Sequence, residues 1–301
     1  MEPKSLPAVV ALVPAWRSAA FIRETLDSLA AQTYSNLRIL ISDDASPDNT
    51  AEVCEAFSAG RPNVRVSRQP KNLGWIGNVN SLLREALGDY YFFAFHDDVL
   101  KPEYVERLVD ALERNPQAVL SFSDMITEEL DGRVARQQYT ALEGVSSARV
   151  RGQRLASRDG TWWAPNRGLF RASAARELGG LKRNLAGEFS ADLAWLIRLA
   201  LMGEFVRVPE TLVTKRLTRQ SVSAAWEHDR WQRFARLCSC LSAVSASRLP
   251  LLEKLHLQSQ IVLSKCVRLG QRLIRNFPGS SVNVGETVDQ QAAAQRVHGD
   301  R

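Results

Sequence analysis

Between residues 8 and 122, short apolar runs of strand length alternate with helically periodic segments, and the connections are brief. The runs are 8–13, 37–41, 63–67, 90–95 and 118–122. Between them lie a helical stretch at 19–31, with Phe21, Ile22, Leu26, Leu29 and Ala30 at helical spacing, and others at 49–59, up to 87, and 103–113. Ser18 stands where an N-cap belongs. This alternation predicts an α/β fold: a mostly parallel, Rossmann-like sheet flanked by helices on both faces. Crossovers in such sheets are right-handed, so the loops after successive strands gather on one edge. Four of those loops are unusual: 14–17, 43–48, 70–74 and 96–98.

The last of them is the most informative. The run YYFFAF reads as a buried strand and ends in His96-Asp97-Asp98. Adjacent carboxylates repel each other unless a cation lies between them. A hard divalent ion such as Mg²⁺ or Mn²⁺ meets that need with oxygen ligands. The alternative is a pair of solvated acids capping the helix that starts near Pro102.

The chain has 301 residues, room for one large α/β domain and an appendage. Its net charge of +6 is far from a nucleic-acid-binding extreme, and nucleic acid is not an expected partner. Residues 226–276 hold nine Lys/Arg against three acids, which accounts for the whole excess. Cys54, Cys238, Cys240 and Cys266 form neither a CxxC pair nor a zinc spacing, and free thiols in a reducing cytoplasm are expected. The apolar start before Pro14 is too short for a leader and reads as a first strand. No run reaches the length of a spanning helix. The expected location is cytoplasmic, free or resting on the inner membrane face.

Residues 130–165 are irregular and Arg-rich, ending in Trp162-Trp163, and read as a long loop or hairpin beside the site. A strand at 168–171 and a helix at 172–178 follow, closed by Gly179-Gly180. Ser190-Ala191-Asp192 opens a helix marked by Leu193, Leu196, Ile197, Leu199 and Ala200, with Gly203 as C-cap. A final strand is expected at 205–208. Two long helices are expected at 226–247 and 250–276, and a polar, disordered tail at 277–301. The predicted organisation is a catalytic domain over 1–223, a helical extension over 224–276 and the tail.

Taken in order, VPAWRSAAFIRETLDSLAAQTY, ILISDDASPDNT, NLGWIGNVN, FHDDVLKPEYVERLVDALERNP, GLFRASAARELGG and ADLAWLIRLALMGEFVRVPETLVTKR resemble the family 2 glycosyltransferases of GT-A fold. The resemblance covers residues 7–223. It implies inverting transfer of a sugar from a nucleotide-diphosphate donor to an acceptor hydroxyl, in glycan or surface polysaccharide synthesis. Asp44 matches the acid that accepts a hydrogen bond from the nucleobase, or it is a helix cap; Asp43 reads as a cap or structural partner. Pro14 and Trp16 match positions that pack on the base, with Trp16 as core the alternative. Lys71 and Asn72 match a loop near the ribose and sugar. Asp97 and Asp98 match the metal motif in a shortened form, since Phe95 stands where the family often has an acid. Asp192 matches the catalytic base, and is also a natural N-cap. Trp162, Trp163, Asn166 and Arg167 fall in the acceptor region. Thr218 stands where a histidine is common, so Lys215 and Arg216 are candidates for positive charge near the diphosphate.

The acceptor implied is a glycan or lipid-linked sugar. The basic C-terminal helices, with Leu251, Leu252, Leu255, Ile261, Val262, Cys266, Leu269 and Leu273, suit either an anionic membrane surface or packing on the catalytic domain or a second subunit. A sugar-phosphate nucleotidyltransferase is disfavoured because VPAWRS carries no glycine for a phosphate loop. A non-catalytic nucleotide- or glycan-binding protein on a degenerate transferase fold is the alternative function.

Overall fold

The structure, a computed structural model, describes residues 5–129, 131–158, 160–217 and 226–275, with 267–275 described as backbone only. In chain order the elements are β1 (Val9–Ala15), α1 (Ile22–Ala30), β2 (Leu37–Asp43), α2 (Thr50–Ser58), β3 (Val64–Arg68), α3 (Gly74–Glu85), β4 (Tyr90–Phe93), β5 (Asp98–Leu100) and α4 (Tyr104–Arg114). Then come β6 (Ala118–Glu128), β7 (Val134–Gln137), α5 (Ala148–Ser157), a 3-10 turn (Ala164–Arg167), β8 (Leu169–Arg171), α6 (Ala172–Leu178), α7 (Ala191–Met202), β9 (Glu204–Arg216), α8 (Arg230–Ser245) and α9 (Leu251–Arg275). The fold described below lies within residues up to 262; from Leu263 a separate unit begins, of which the rest of α9 is described.

Every residue of β1 and β4 is buried, as central strands covered on both faces require. The flanking helices are one-sided. In α4, Tyr104, Val105, Leu108, Val109 and Leu112 turn inward at helical spacing while the charged residues between them face out.

The sheet order is β3-β2-β1-β4-β8-β6-β9-β5, with β7 on β6. The first four strands are parallel, Val9 pairing with both Leu37 and Tyr90. From β8 onward the pairing is mixed: β8 is antiparallel to β4 and β6, and β5 to β9, while β6 and β9 run parallel through three register shifts. The parallel character read from the sequence thus belongs to the first half. In the second half β8 and β5 return antiparallel to their neighbours, while β6 and β9, with α5, α6 and α7 between them in the chain, keep a parallel course.

Three local expectations change. Ser18 is not the side-chain cap of α1: its backbone carbonyl accepts from Phe21 and Ile22, its amide donates to Thr50 Oγ1, and its hydroxyl is buried without a partner. The Arg-rich stretch contains a strand, β7, and a helix, α5, capped by the Ser147 hydroxyl. The last strand, β9, is longer than expected and runs on to Lys215 and Arg216. At the C-terminal side, α8 buries Ala235, Cys240, Ala243 and Val244 and packs on α7. Gly152 of α5 allows close approach there: a Cβ on it would lie 2.9 Å from Leu201 and 3.2 Å from Leu257 of α9. The opposite face of α9 exposes Leu251, Leu252 and Leu255. Among the described residues no helix is long and apolar enough to cross a membrane. Thr218 and the tail at 277–301 lie outside the described residues.

Candidate active site

The carboxyl ends of the parallel strands bring the first three candidate loops together. The amide of Asp44 donates to the Ala15 carbonyl at 2.9 Å, and the Arg17 amide to Ser46 Oγ at 3.0 Å. Asn72 ties the third loop on, donating from Nδ2 to the Asp44 carbonyl at 3.2 Å and accepting from Gly74 N–H at 3.1 Å. Asp44 itself is buried, and its Oδ1 accepts from Leu73 N–H at 2.7 Å. It therefore ties the third loop to the second at the start of α3. Burial raises its pKa above the ordinary carboxylate range; the amides of Leu73 and Gly74 oppose that, and Glu188 and Asp43 add to it. Asp43 is the turn's structural partner, its Oδ2 accepting from Ser46 N–H. Pro14 is buried with its carbonyl 3.2 Å from His96 Nδ1, whereas Trp16 is 37% exposed with Arg17 stacked on it. Lys71 is exposed.

The acid pair is set in a cationic frame. Arg167 Nε donates to Asp98 Oδ2 at 2.7 Å, and both side chains are almost wholly buried. Lys215, delivered by the end of β9, lies 3.2 Å from Asp97 Oδ2. The two carboxyls diverge. Burial opposes ionisation of Asp97, but the charges of Lys215, His96 and Arg167 outweigh it and hold its pKa below the usual range. Asp98 is buried more deeply; burial, with the neighbouring Asp97 charge, raises it despite Arg167. Asp98 Oδ1 is buried with no hydrogen-bond partner.

The 3-10 turn joins this pair to the base candidate. Its Arg167 holds Asp98, and the preceding Asn166 reaches Asp192 Oδ2 from Nδ2 at 3.4 Å. The turn is anchored from below, Tyr104 O–H donating to the Arg167 carbonyl at 2.5 Å. The Arg167 guanidinium is also stacked between Phe95 (4.9 Å) and Trp163 (5.5 Å). Asp192 sits in the first turn of α7, Oδ1 accepting from Leu193 N–H at 3.0 Å, and Ser190 rather than Asp192 occupies the N-cap. Burial raises the Asp192 pKa; Leu193 N–H and the charges of Arg167 and Arg158 offset part of that.

Backbone strain marks the same region. The non-glycine residues at positive φ among those described are Arg17, Ala45, Arg158, Ser190 and His228. Two flank Trp16 and Asp44, and Ser190 lies two residues before Asp192. Such conformations persist where surrounding structure enforces them, commonly at functional sites.

Asp97, Asp98, Asn166, Arg167 and Asp192 are thus linked in one site, with Pro14 against His96; Arg167, expected in the acceptor region, pairs with Asp98. Trp162 and Trp163 are half-buried against the core, each under an arginine. Of the cations expected near a diphosphate, Lys215 is in the site, while Arg216 pairs with Glu24 and Glu128. Glu188 was not legible from the motifs. It caps α3 through Trp75 and Ile76 N–H and pairs with Arg183. The signal for it is that α3 has no acid in its own first turn.

Among the described residues no group of three or more His, Cys, Asp or Glu could hold a metal ion. The acid pair still fits a divalent cation of one kind. Asp98 Oδ1 lacks a partner, and Mg²⁺-type ions bind through one or two carboxylates plus phosphate oxygens and water. The donor set suits an ion that arrives with a diphosphate, not one held by the protein alone.

A sheet with this order, its acid-bearing loops on one edge and its helices on both faces, is the GT-A fold of glycosyltransferases. The S. aureus TarS 1–349 structure in complex with UDP-GlcNAc superposes with a TM-score of 0.68 at 14% identity, covering 94% of this chain and 77% of that one. The mannosyltransferase PcManGT from Pyrobaculum calidifontis, in complex with GDP-Man and Mn²⁺, gives 0.55 at 16% identity over 97% and 79%. Residues 10–174 match the model of glycosyl transferase family 2, and the chain belongs to that family. An uncharacterized glycosyltransferase of Haemophilus influenzae is 27% identical over 237 residues, 75% of this chain and 71% of that protein. Glycosyltransferase GlyG of Streptococcus pneumoniae is 29% identical over 121 residues, 40% of each chain.

Proposed function

We propose that this glycosyltransferase uses a nucleotide-diphosphate sugar and inverts the anomeric centre in a single displacement by an acceptor hydroxyl. The observation that carries this reading is the 3-10 turn, where adjacent residues hold Asp98 and Asp192. One turn thus fixes a base candidate relative to an acid pair framed by cations, as in-line transfer needs.

The roles follow from the surroundings. The loops around Trp16, Asp44 and Asn72 form the nucleoside pocket, with Asp44 accepting from a ring N–H of the base and Trp16 offering a face to stack on. Lys215 and Arg167 place fixed positive charge beside the diphosphate, where negative charge grows as the sugar leaves. A divalent ion held by Asp97 and Asp98 with the diphosphate would supply further neutralisation of that leaving group. Asp192 takes the acceptor proton, and its raised pKa strengthens it as a base. Asn166 orients it. Trp162 and Trp163 line the acceptor side, where a glycan or a lipid-linked sugar would enter. The domain division 1–223 and 224–276 is kept as part of this reading, the helical extension supporting α7.

The test is turnover of UDP-, GDP- and dTDP-sugars with the anomeric configuration of the product followed by NMR. An inverted product, lost in Asp192→Asn, is the expected result. A retained configuration, or full activity in that variant, would overturn the mechanism.

A further inference from the structure

α8 and α9 turn much of their apolar surface outward. Among the described residues twelve large apolar side chains are exposed, and seven of them belong to these two helices, so the excess is a property of this segment and not of the whole surface. The inner side of α9 is already partnered. Leu257 and Ile261 are buried, and Leu257 lies against Gly152 of α5. Lys254 Nζ donates to the Ser245 carbonyl of α8, and Gln258 Nε2 to the Leu241 carbonyl, each at 3.0 Å.

Leu251, Leu252, Leu255 and Val262 fall on the other side of α9 by helical spacing, and are between 40% and 80% exposed. Glu253, the one acid in α9, precedes Leu257 by four residues and so stands on the inner side. α8 divides in the same way. Ala235, Ala243 and Val244 are buried, while Trp231 and Phe234, their ring centroids 5.7 Å apart, are exposed. Arg230 and Arg233 are exposed beside that pair, and the adjacent acid, Asp229, accepts from Gln232 N–H at 2.6 Å as the cap of α8.

We infer that the outer side of α9 within residues 251–262 docks on an anionic lipid surface, with Trp231 and Phe234 of α8 as a second contact. Charge selects the occupant. Residues 226–276 hold nine Lys/Arg against three acids. A second copy of the chain would bring that excess against itself, whereas acidic headgroups accept it. α9 has 25 residues and is not apolar enough to cross a membrane, so it lies in the interface with its apolar side down. A tryptophan suits the headgroup depth, where one end of the ring is wet. Docked in this way, the transferase meets an acceptor carried on a lipid without spanning the bilayer. That consequence rests on the function proposed above; the docking surface does not.

The test is co-sedimentation of full-length protein with vesicles of phosphatidylcholine alone and of phosphatidylcholine with phosphatidylglycerol, at low and high salt. Light scattering gives the oligomeric state, circular dichroism the helix content, and binding of UDP, GDP and dTDP is measured on the same samples. Leu252→Glu/Leu255→Glu is compared with Leu87→Glu, an exposed leucine just after α3. Binding to the acidic vesicles alone is expected, screened by salt, weakened about tenfold or more by the α9 variant at unchanged helix content, and unaltered by the control. Arg230→Gln/Arg233→Gln should weaken it about fivefold or more. Equal binding to neutral vesicles, or binding that survives the α9 variant, overturns the inference. So does a dimer in solution that this variant dissociates, with no vesicle binding. Wild type that binds a nucleotide but no vesicle overturns the surface alone; vesicle binding without any nucleotide binding sustains the surface and sinks the proposed function.

Discussion

Replacing Arg167 with methionine removes a buried guanidinium and leaves the Asp98 carboxyl without its cation. The pair is short, 2.7 Å, with side chains 10% and 2% exposed, so solvent cannot take over. Breaking a buried pair from one side costs about 3–5 kcal/mol, because the remaining group is stranded. For an ordered region of this size the unfolding entropy is about 0.5 kcal/mol per degree, so the melting temperature should fall by about 6–10 °C. Asp98→Asn alone strands the arginine in turn. The double variant Arg167→Met/Asp98→Asn strands neither and should recover a coupling energy of at least about 1.5 kcal/mol. Urea unfolding followed by circular dichroism measures all four proteins, and equal slopes certify the comparison. Additive losses would show that Arg167 supports the turn through its stacking on Phe95 and Trp163 and not through Asp98, and the electrostatic account of the acid pair would fail.

Asp192→Asn should lower turnover by about 10²–10⁴. Its folded pKa is raised, so ionising it opposes folding as pH rises from the unfolded value through the folded one; the asparagine variant should melt higher than wild type at neutral pH, and equal melting would contradict the raised pKa. The acid limb of the wild-type rate profile should likewise lie above the ordinary carboxylate range. Asp124, buried in β6, is opposed by burial, but Arg207, Gln138 and Arg136 lower its pKa, so its contribution is present above the unfolded pKa and lost as pH falls through the folded one; Asp124→Asn should remove about 3 kcal/mol at pH 7 and flatten that acid loss in thermal melts. Gly168→Ala places a Cβ 2.5 Å from the Ser121 carbonyl at the foot of the 3-10 turn, and should cost about 1–3 kcal/mol by urea unfolding and reduce activity.

Local pattern made the first half of the fold legible. Strand length and helical spacing predict a mostly parallel sheet whose loops gather on one edge, and that alone brings Asp44 and the Asp97-Asp98 pair to the same side. What pairs with those acids was not legible. Arg167 is 69 residues from Asp98, Lys215 is 118 from Asp97, and Glu188 is 113 from the amide it caps. The first two distances close through β8 and β9, whose mixed pairing carries no periodic signature, and the third through the loop before α7. The pairing of Arg167 has the same origin: its neighbour Asn166 reaches Asp192, and nothing in the string reveals that the next side chain reaches Asp98. Ser18 failed as a cap because α1 begins later, at Ile22, with Phe21 in the N-cap position.

The central claim is that the strand-end loops bind a nucleoside diphosphate against the acid pair. Calorimetry with UDP, GDP and dTDP, each with Mn²⁺ and with EDTA, on wild type and on Asp97→Asn/Asp98→Asn tests it most directly. The account predicts one preferred nucleotide, Mn²⁺-strengthened binding that the double variant abolishes, and no Mn²⁺ binding without nucleotide. Well-folded protein that binds none of the three would contradict it.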